Sequence, residues 1–544
     1  MQGWWIADSD YPSADPNEVA RAISEITEAV TLVDNGGYLG IARGGTYIYS
    51  QTPPEVPAYR VVGFIPPTRL ESMGDPTFCA DHGIRYPYVT GAMANGIGSA
   101  AIVEAMGMAG MLGFFGSAGL PLDRVEREID HIQATLGPRS YGINLINSPA
   151  EPDLEANIID LYLRKGVKRI EASAFLALSL PLIRFRTHGI HRDANGQIVT
   201  PNQVVAKVSR VEVATKFFSP PPDEFISKLV QNGELTEEQA SLAQHIPVAQ
   251  DITAEADSGG HTDNRPALTM IPTMLALRDR LQVQYGYQQR LRIGAAGGVA
   301  TPASVAAAFA MGAAYVVTGT VNQSCVESGT SDGVRAMLAQ AEQADVAMGP
   351  AGDMFEMGVR VQVLKRGTLF AMRGQKLYEI YRTYPSIEAI PEAERAPIEK
   401  QLFRTSLDDI WNQTAEYFAR RDPRQLQRAE RDPKHKMALV FRWYLGQSSR
   451  WAITGEPTRQ ADYQIWCGPA IGAFNEWVKD TFLSPVENRR VVTVAYNLLY
   501  GSAVMSRAAA LRAQGAVLPE AALQVRPLPL EEILQRIQPA WAEA

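Results

Sequence analysis

The sequence predicts an α/β protein: a (β/α)8 TIM barrel with a small N-terminal β-rich extension and a mostly helical C-terminal region. Three observations carry this reading. Between residues 86 and about 340, short apolar runs alternate eight times with segments of helical periodicity. Parallel strands need crossover connections, and eight strand–helix units are the number that closes such a barrel, whereas an open doubly wound sheet needs fewer. Gly-rich turns also follow the seventh and eighth strands, where barrels of this kind often hold phosphate.

Taken in order, residues 86–94 read as a strand and 97–108 as a helix. Residues 111–115 lead into 120–136, whose Leu122, Val125, Ile129 and Ile132 share one helical face. Residues 141–146 precede a helix at 153–165, and 169–174 precede 179–186, where Ser179 is placed to cap and Pro181 sits in the first turn. The remaining strand and helix pairs are 204–209 with 211–218, 247–256 with 267–285, 291–295 with 302–311, and 315–318 with 331–344.

Two insertions interrupt the alternation. Residues 188–199 carry the hairpin signal Asp193-Ala194-Asn195-Gly196, and 220–245 open on three prolines before helical pieces around Asn232-Gly233. The first 80 residues mix short β-like runs with the turn-prone Asn35-Gly36-Gly37 and Gly44-Gly45. From about 350 the pattern is mostly helical. Residues 360–460 hold 19 Lys and Arg against 12 Asp and Glu, a local +7. The predicted division is therefore an extension at 1–80, a barrel at 81–350 with its helical insertion near 220–245, and a helical region at 351–544.

Composition is that of an ordinary globular chain, 46% apolar and 20% charged over 544 residues, which excludes disordered, collagen-like and coiled-coil classes. A net charge of −8 argues against nucleic acid as the main partner. Cys79, Cys325 and Cys467 are scattered without metal or disulfide spacing, which suits a reducing compartment. Met1-Gln2-Gly3-Trp4-Trp5 gives no signal-peptide pattern. Residues 105–122 are uncharged over about the length of a membrane span, but five glycines and Pro121 break any continuous helix. They read as a helix end, a buried strand and a loop, and a soluble, cytoplasmic protein without membrane contact is expected.

In a barrel of this class, chemistry sits on the loops after the strands. The seventh strand runs into Gly294-Ala295-Ala296-Gly297-Gly298-Val299-Ala300-Thr301-Pro302, and the eighth into Thr318-Gly319-Thr320. Such turns let backbone N–H groups approach an anion, although each alone is also an ordinary tight turn. No Walker loop occurs, and Asn95-Gly96-Ile97-Gly98 lacks the third glycine of a Rossmann fingerprint at Ala101. A mononucleotide such as flavin mononucleotide (FMN) fits this pattern better than a Rossmann-held dinucleotide.

The first strand exits through Thr90-Gly91-Ala92-Met93-Ala94, small enough for a flat ring to pack closely. Asn144 is an amide within an apolar strand, a satisfied core group or a reader of a ring edge. Lys207 is a lysine within a strand, either snorkelling to the surface or reaching a flavin carbonyl or phosphate. Cys325 reads as a buried thiol rather than a nucleophile. The sixth strand ends in Glu255-Ala256-Asp257-Ser258-Gly259-Gly260-His261-Thr262-Asp263-Asn264-Arg265-Pro266. Two glycines set His261 over the barrel mouth amid polar neighbours, where an imidazole can donate or accept a proton. No second histidine or cysteine lies at ligand spacing, so no metal is expected. The other six histidines read as structural.

These strings resemble the nitronate monooxygenase and flavin-dependent, FabK-like enoyl-reductase superfamily. Within it, Ala206-Lys207-Val208-Ser209-Arg210, residues 255–266, Gln362-Val363-Leu364-Lys365-Arg366-Gly367 and Cys467-Gly468-Pro469-Ala470 are similar to the PfaD family of trans-acting enoyl reductases of polyunsaturated fatty acid and polyketide synthases. The resemblance covers nearly the whole chain. It implies an FMN-dependent reductase using NADPH on a 2-enoyl thioester carried by an acyl carrier protein. It further implies that Gly297, Gly298, Gly319 and Thr320 hold the flavin phosphate, that Ala92, Met93, Asn144 and Lys207 border the ring, and that His261, presented by Gly259 and Gly260, is the active-site histidine. The helical C-terminal region is then the substrate and carrier side, and a homodimer is the expected assembly. A nitronate monooxygenase and a non-catalytic synthase scaffold are the competing readings.

Overall fold

The computed structural model describes residues 2–8, 11–148 and 152–538. Strands β1 (Gln2–Ile6), β2 (Val30–Asn35), β3 (Tyr38–Ala42), β4 (Thr46–Ser50) and β5 (Tyr59–Ile65) form an antiparallel sheet in the order β3-β2-β5-β1-β4, the β-rich extension. It is tied to the other end of the chain. Arg507, on the helix Val491–Ala513, is 1% exposed and donates to the carbonyls of Ile23, Ile26, Glu28 and Pro66. Four carbonyls around one guanidinium satisfy a cation that burial would otherwise penalise heavily.

The barrel follows. Its strands are β6 (Tyr88–Thr90), β7 (Leu112–Phe115), β8 (Gly142–Ile146) and β9 (Arg169–Ser173). After the hairpin of β10 (His191–Arg192) and β11 (Ile198–Val199) come β12 (Gln203–Val208) and β13 (Asp251–Glu255). The two-residue β14 (Gly260–His261) then precedes β15 (Arg292–Ala296) and β16 (Val316–Thr318). The eight barrel strands run in the closed order β12-β13-β15-β16-β6-β7-β8-β9, all parallel, with β16 pairing β6 to shut the ring. All eight predicted strand–helix units are present. The first strand is shorter than its apolar run because the backbone leaves the ladder after Thr90: the Ala92 N–H goes to the Glu171 carboxylate at 2.9 Å.

Local chemistry fixes the helices. Ser179 caps Leu180–Thr187, and Thr301 caps Pro302–Ala310 in a reciprocal pair with Ser304. Residues 105–122 resolve into the end of the helix Ala100–Met108, the buried β7 and a loop. No helix among the described residues is long and apolar enough to cross a membrane. Below the barrel, the helix Pro76–His82 closes the strands' N-terminal ends. Phe78 stacks on Tyr315 with ring centroids 4.0 Å apart, and Arg292 and His82 both meet Asp251.

Past the barrel, β17 (Val346–Pro350) and β18 (Arg360–Leu364) form a hairpin that β14 joins as a third strand, in the order β14-β18-β17. The predicted break at 350 thus falls inside a hairpin, and the C-terminal region is pinned to the loop carrying His261. Helices Phe370–Thr383, Leu407–Arg421, Pro423–Arg431 and Pro433–Thr454 follow. Phe370, Leu377, Ile410, Phe441 and Tyr444 share a second core there with Val361 of β18.

Candidate active site

The floor of the barrel mouth is polar. Neighbouring strands β8, β9, β12 and β13 contribute Asn144, Glu171, Lys207 and Glu255. Glu171 is 1% exposed, and its side chain crosses the lumen so that Oε2 accepts the Ala92 N–H. Asn144 Nδ2 donates to the Glu171 carbonyl and to Ser173 Oγ, each at 3.1 Å, so its donors are used within the barrel. Lys207 Nζ lies 3.4 Å from Glu255 Oε1, with only 19% of its side chain exposed; it does not snorkel to the surface. Burial disfavours its charge, but Glu255 and Glu171 hold its pKa above the ordinary lysine value.

His261 stands at the rim. Antiparallel pairing sets Gly260 opposite Gln362 and His261 opposite Val361, so the imidazole projects from a short strand rather than a free loop. Nε2 meets Asp353 Oδ1 at 3.2 Å, and the ring is about one-third exposed. Burial lowers the His261 pKa, but Asp353 and then Glu255 outweigh it and the net direction is upward. Gly259 is required by close approach, since a Cβ there would sit 2.8 Å from the Cys467 backbone nitrogen. The rest of the string builds the loop. Asp257 accepts from Asn264 Nδ2 and Gln362 Nε2, and Asp263 takes Arg210 bidentately, both nitrogens at 2.9 Å, together with Ser209. Two of the motifs singled out in the sequence are therefore halves of one contact.

The Gly-rich turns leave neighbouring strands, β15 and β16. Gly297 and Gly298 have φ of +79° and +77°, a region that excludes most side chains. A Cβ on Gly297 would strike the Ala256 backbone, whereas the Cβ sides of Gly298 and Gly319 face open space. Thr320 Oγ1 accepts the Gly468 N–H at 3.2 Å, so the 467–470 segment joins the second turn. Met93 lends its carbonyl to Gly98 N–H at 2.9 Å. Cys325 and Cys467 are fully buried, and burial raises both thiol pKa values, Cys467 to about 12; neither is a nucleophile poised for reaction. Two open glycine cradles beside a mouth lined by small backbone, an amide and a lysine suit a ligand with a phosphate at one end and a flat polar ring at the other.

The nitronate monooxygenase profile matches residues 77–373, more than half of the chain. The chain belongs to that family. Within the nitronate monooxygenase family it is PfaD-like. It is 48% identical over 455 residues to a polyunsaturated fatty acid synthase polypeptide of Thraustochytrium sp., covering 82% of this chain and 30% of the relative. It is 44% identical over 436 residues to polyketide biosynthesis protein PksE of Bacillus subtilis, covering 80% and 56%. The chain thus spans about a third to a little over half the length of these relatives. The enoyl reductase domain of MlnA, from the macrolactin biosynthesis cluster of Bacillus amyloliquefaciens, superposes with a TM-score of 0.77 at 40% identity. That match covers 82% of this chain and 99% of the domain. Residues 384–463 match the inserted helical domain of [acyl-carrier-protein] S-malonyltransferase.

Of the residues singled out from sequence, Ala92, Asn144, Lys207 and His261 lie around one mouth, as do both glycine turns. Glu171 and Asp353 were missed. Glu171 had the signal that picked out Lys207, a charge inside a strand. Asp353 had none, being 92 residues from its partner.

Proposed function

We propose that the protein is an FMN-dependent, NADPH-using enoyl reductase acting in trans on 2-enoyl thioesters of an acyl carrier protein, in polyketide or polyunsaturated fatty acid biosynthesis. The observation that carries this reading is the likeness to the MlnA enoyl reductase domain, which extends beyond the barrel into the C-terminal region. The residues present fit the cofactor: Gly298 and Gly319 leave the space a phosphate needs, and Gly297 and Thr320 complete the two turns. Ala92, Met93, Asn144 and Lys207 border the ring. When bound, FMN supplies hydride, taken from NADPH, to the β-carbon of the enoyl thioester.

The chain's own residues bind, orient and move a proton. Lys207 places a positive charge beside the ring. Gly259 and Gly260 present His261, which hydrogen-bonds the thioester oxygen as negative charge develops there, or delivers the α-carbon proton. Against burial, Asp353 and Glu255 raise its pKa and so favour the protonated, donating form. A carrier protein is generally acidic, and Arg420, Arg421, Arg424 and Arg428 give the helical region basic groups of complementary sign. The protein is read as cytoplasmic and homodimeric.

The decisive variant is His261→Ala. It retains flavin and loses about 10²–10⁴-fold in turnover on an enoyl-carrier substrate; undiminished turnover overturns the assignment. The family profile itself favours a second reading, oxidation of nitronates with oxygen. That chemistry needs no nicotinamide, so NADPH consumption coupled to enoyl reduction separates the two. Purified protein that stays colourless after FMN is added favours the scaffold reading instead.

A further inference from the structure

Glu171, Lys207 and Glu255 lie on three consecutive barrel strands and act on one another electrostatically. One lysine cannot neutralise two carboxylates, so with all three ionised the floor of the mouth would hold an uncompensated negative charge. The geometry decides which acid keeps its proton. Glu255 lies 3.4 Å from Lys207 Nζ, accepts a hydrogen bond from Ser258 Oγ at 3.2 Å and is 17% exposed. Glu171 is 1% exposed and, among the described residues, has no hydrogen bond from a cation. Its Oε2 takes the Ala92 N–H, while Oε1 has no hydrogen-bond partner among the described residues. That oxygen lies beneath the exit of β6, 3.5 Å from where a Cβ on Gly91 would stand. The other titratable group facing it is Tyr315, a neutral phenol bonded to Thr253 Oγ1 at 2.9 Å.

We propose that Glu171 is a neutral carboxylic acid whose Oε1–H donates a hydrogen bond to a ring carbonyl or ring nitrogen of the bound heterocycle. A buried carboxylate with a single hydrogen bond is unfavourable, and so is a buried acid proton without an acceptor; the ligand's polar edge removes the second cost. Burial raises the Glu171 pKa, and Lys207 and the Ala92 N–H offset this only in part. Glu171 is thereby a binding residue that reads an acceptor, complementing Lys207, which reads charge. The acceptor's identity rests on the flavin reading; the protonation state does not.

Two measurements on the full chain test this. In infrared difference spectra at neutral pH, the carbonyl band of a protonated carboxylic acid is present, is lost in Glu171→Gln and survives in Glu255→Gln. In FMN titrations, Glu171→Gln keeps a donor at Oε1 and binds within about twofold of the parent. Glu171→Leu binds about tenfold more weakly or worse, roughly 1.4 kcal/mol. Parent affinity falls as pH rises through the Glu171 pKa, while that of the Gln variant does not. Absence of the band, or a folded Leu variant that binds FMN as tightly as the parent, overturns the proposal. A Leu variant that fails to fold leaves the band and the pH dependence of the Gln pair to decide. A parent protein that shows the band but binds no FMN overturns the flavin reading and the donor role together, while leaving the acid neutral.

Discussion

Asp353 Oδ1 accepts from Nε2 of His261 at 3.2 Å, and the hairpin of β17 and β18 is what brings the two together. An ionised Asp353 holds a proton on Nε2, so Nδ1 is the ring atom left for the substrate, and it donates when the ring is the doubly protonated imidazolium. Burial opposes the Asp353 charge, but His261 and Arg442 pull its pKa below the ordinary value. The His261 pKa is raised, so the pair's stabilisation is fully present below the ordinary histidine value and is lost as pH rises through the folded one. Asp353→Asn is expected to lower the His261 pKa and to move the alkaline limb of turnover to lower pH. An NMR titration of the imidazole with a pH–rate profile checks both.

Gly319 gives a clean probe of phosphate binding. Its φ of −126° lies outside the left-handed region, and an added Cβ meets no protein atom within 4 Å. Gly319→Ala is expected to keep the parent's melting temperature while weakening FMN binding about tenfold. Gly298→Ala, at φ +77°, is expected to lose stability as well as affinity, because a Cβ there is strained. Thermal melts and flavin fluorescence titrations separate the two outcomes.

At the opposite end, stability depends on Asp251. Burial pushes its pKa up, but Arg292 at 2.6 Å and His82 at 2.9 Å bring it down to about 2. The stabilisation is therefore present above the ordinary carboxylate range and lost as pH falls toward that value. Asp251→Ala leaves the buried Arg292 with Asp81 as its one ion-pair partner among the described residues, beside the Thr77 hydroxyl, and is expected to cost about 3–5 kcal/mol, measurable by denaturant unfolding. Flavin affinity of the folded fraction should be unchanged, since the cluster lies below the barrel.

The basic groups of the helical region are largely self-paired: Arg420 with Glu416, Arg424 with Asp422 and Asp153, Arg428 with Asp432, and Arg421 over the Tyr417 ring. Reversing these four charges is expected to weaken carrier-protein binding with a reduced salt dependence, while activity on a short soluble thioester is retained. Calorimetric titration with carrier protein at two ionic strengths reads this directly. Unchanged affinity places docking elsewhere.

The barrel was legible because each unit carries its own local signals: apolar runs for β7 and β8, the Ser179 and Thr301 caps, and glycines where β15 and β16 turn. The strand at 86–94 was overdrawn. Its apolar pattern continues past Thr90, but a side chain from across the lumen captures the Ala92 N–H. Asn144 shows the same limit, since its partners on β9 cannot be read from its own strand. His261 was legible from its glycines and its position after a strand. Asp353 and the Gly468 contact with Thr320 belong to pairings across large sequence separations, which periodicity and turn chemistry do not encode.

Flavin reduction and reoxidation test the proposed chemistry most directly. FMN-loaded protein is mixed anaerobically with NADPH, and an enoyl-acyl carrier protein is then added. The flavin absorbance is expected to bleach on the first addition and return on the second, with stoichiometric saturated thioester formed. A flavin that NADPH leaves oxidised, or that regains its colour only when oxygen is admitted, would contradict enoyl reduction.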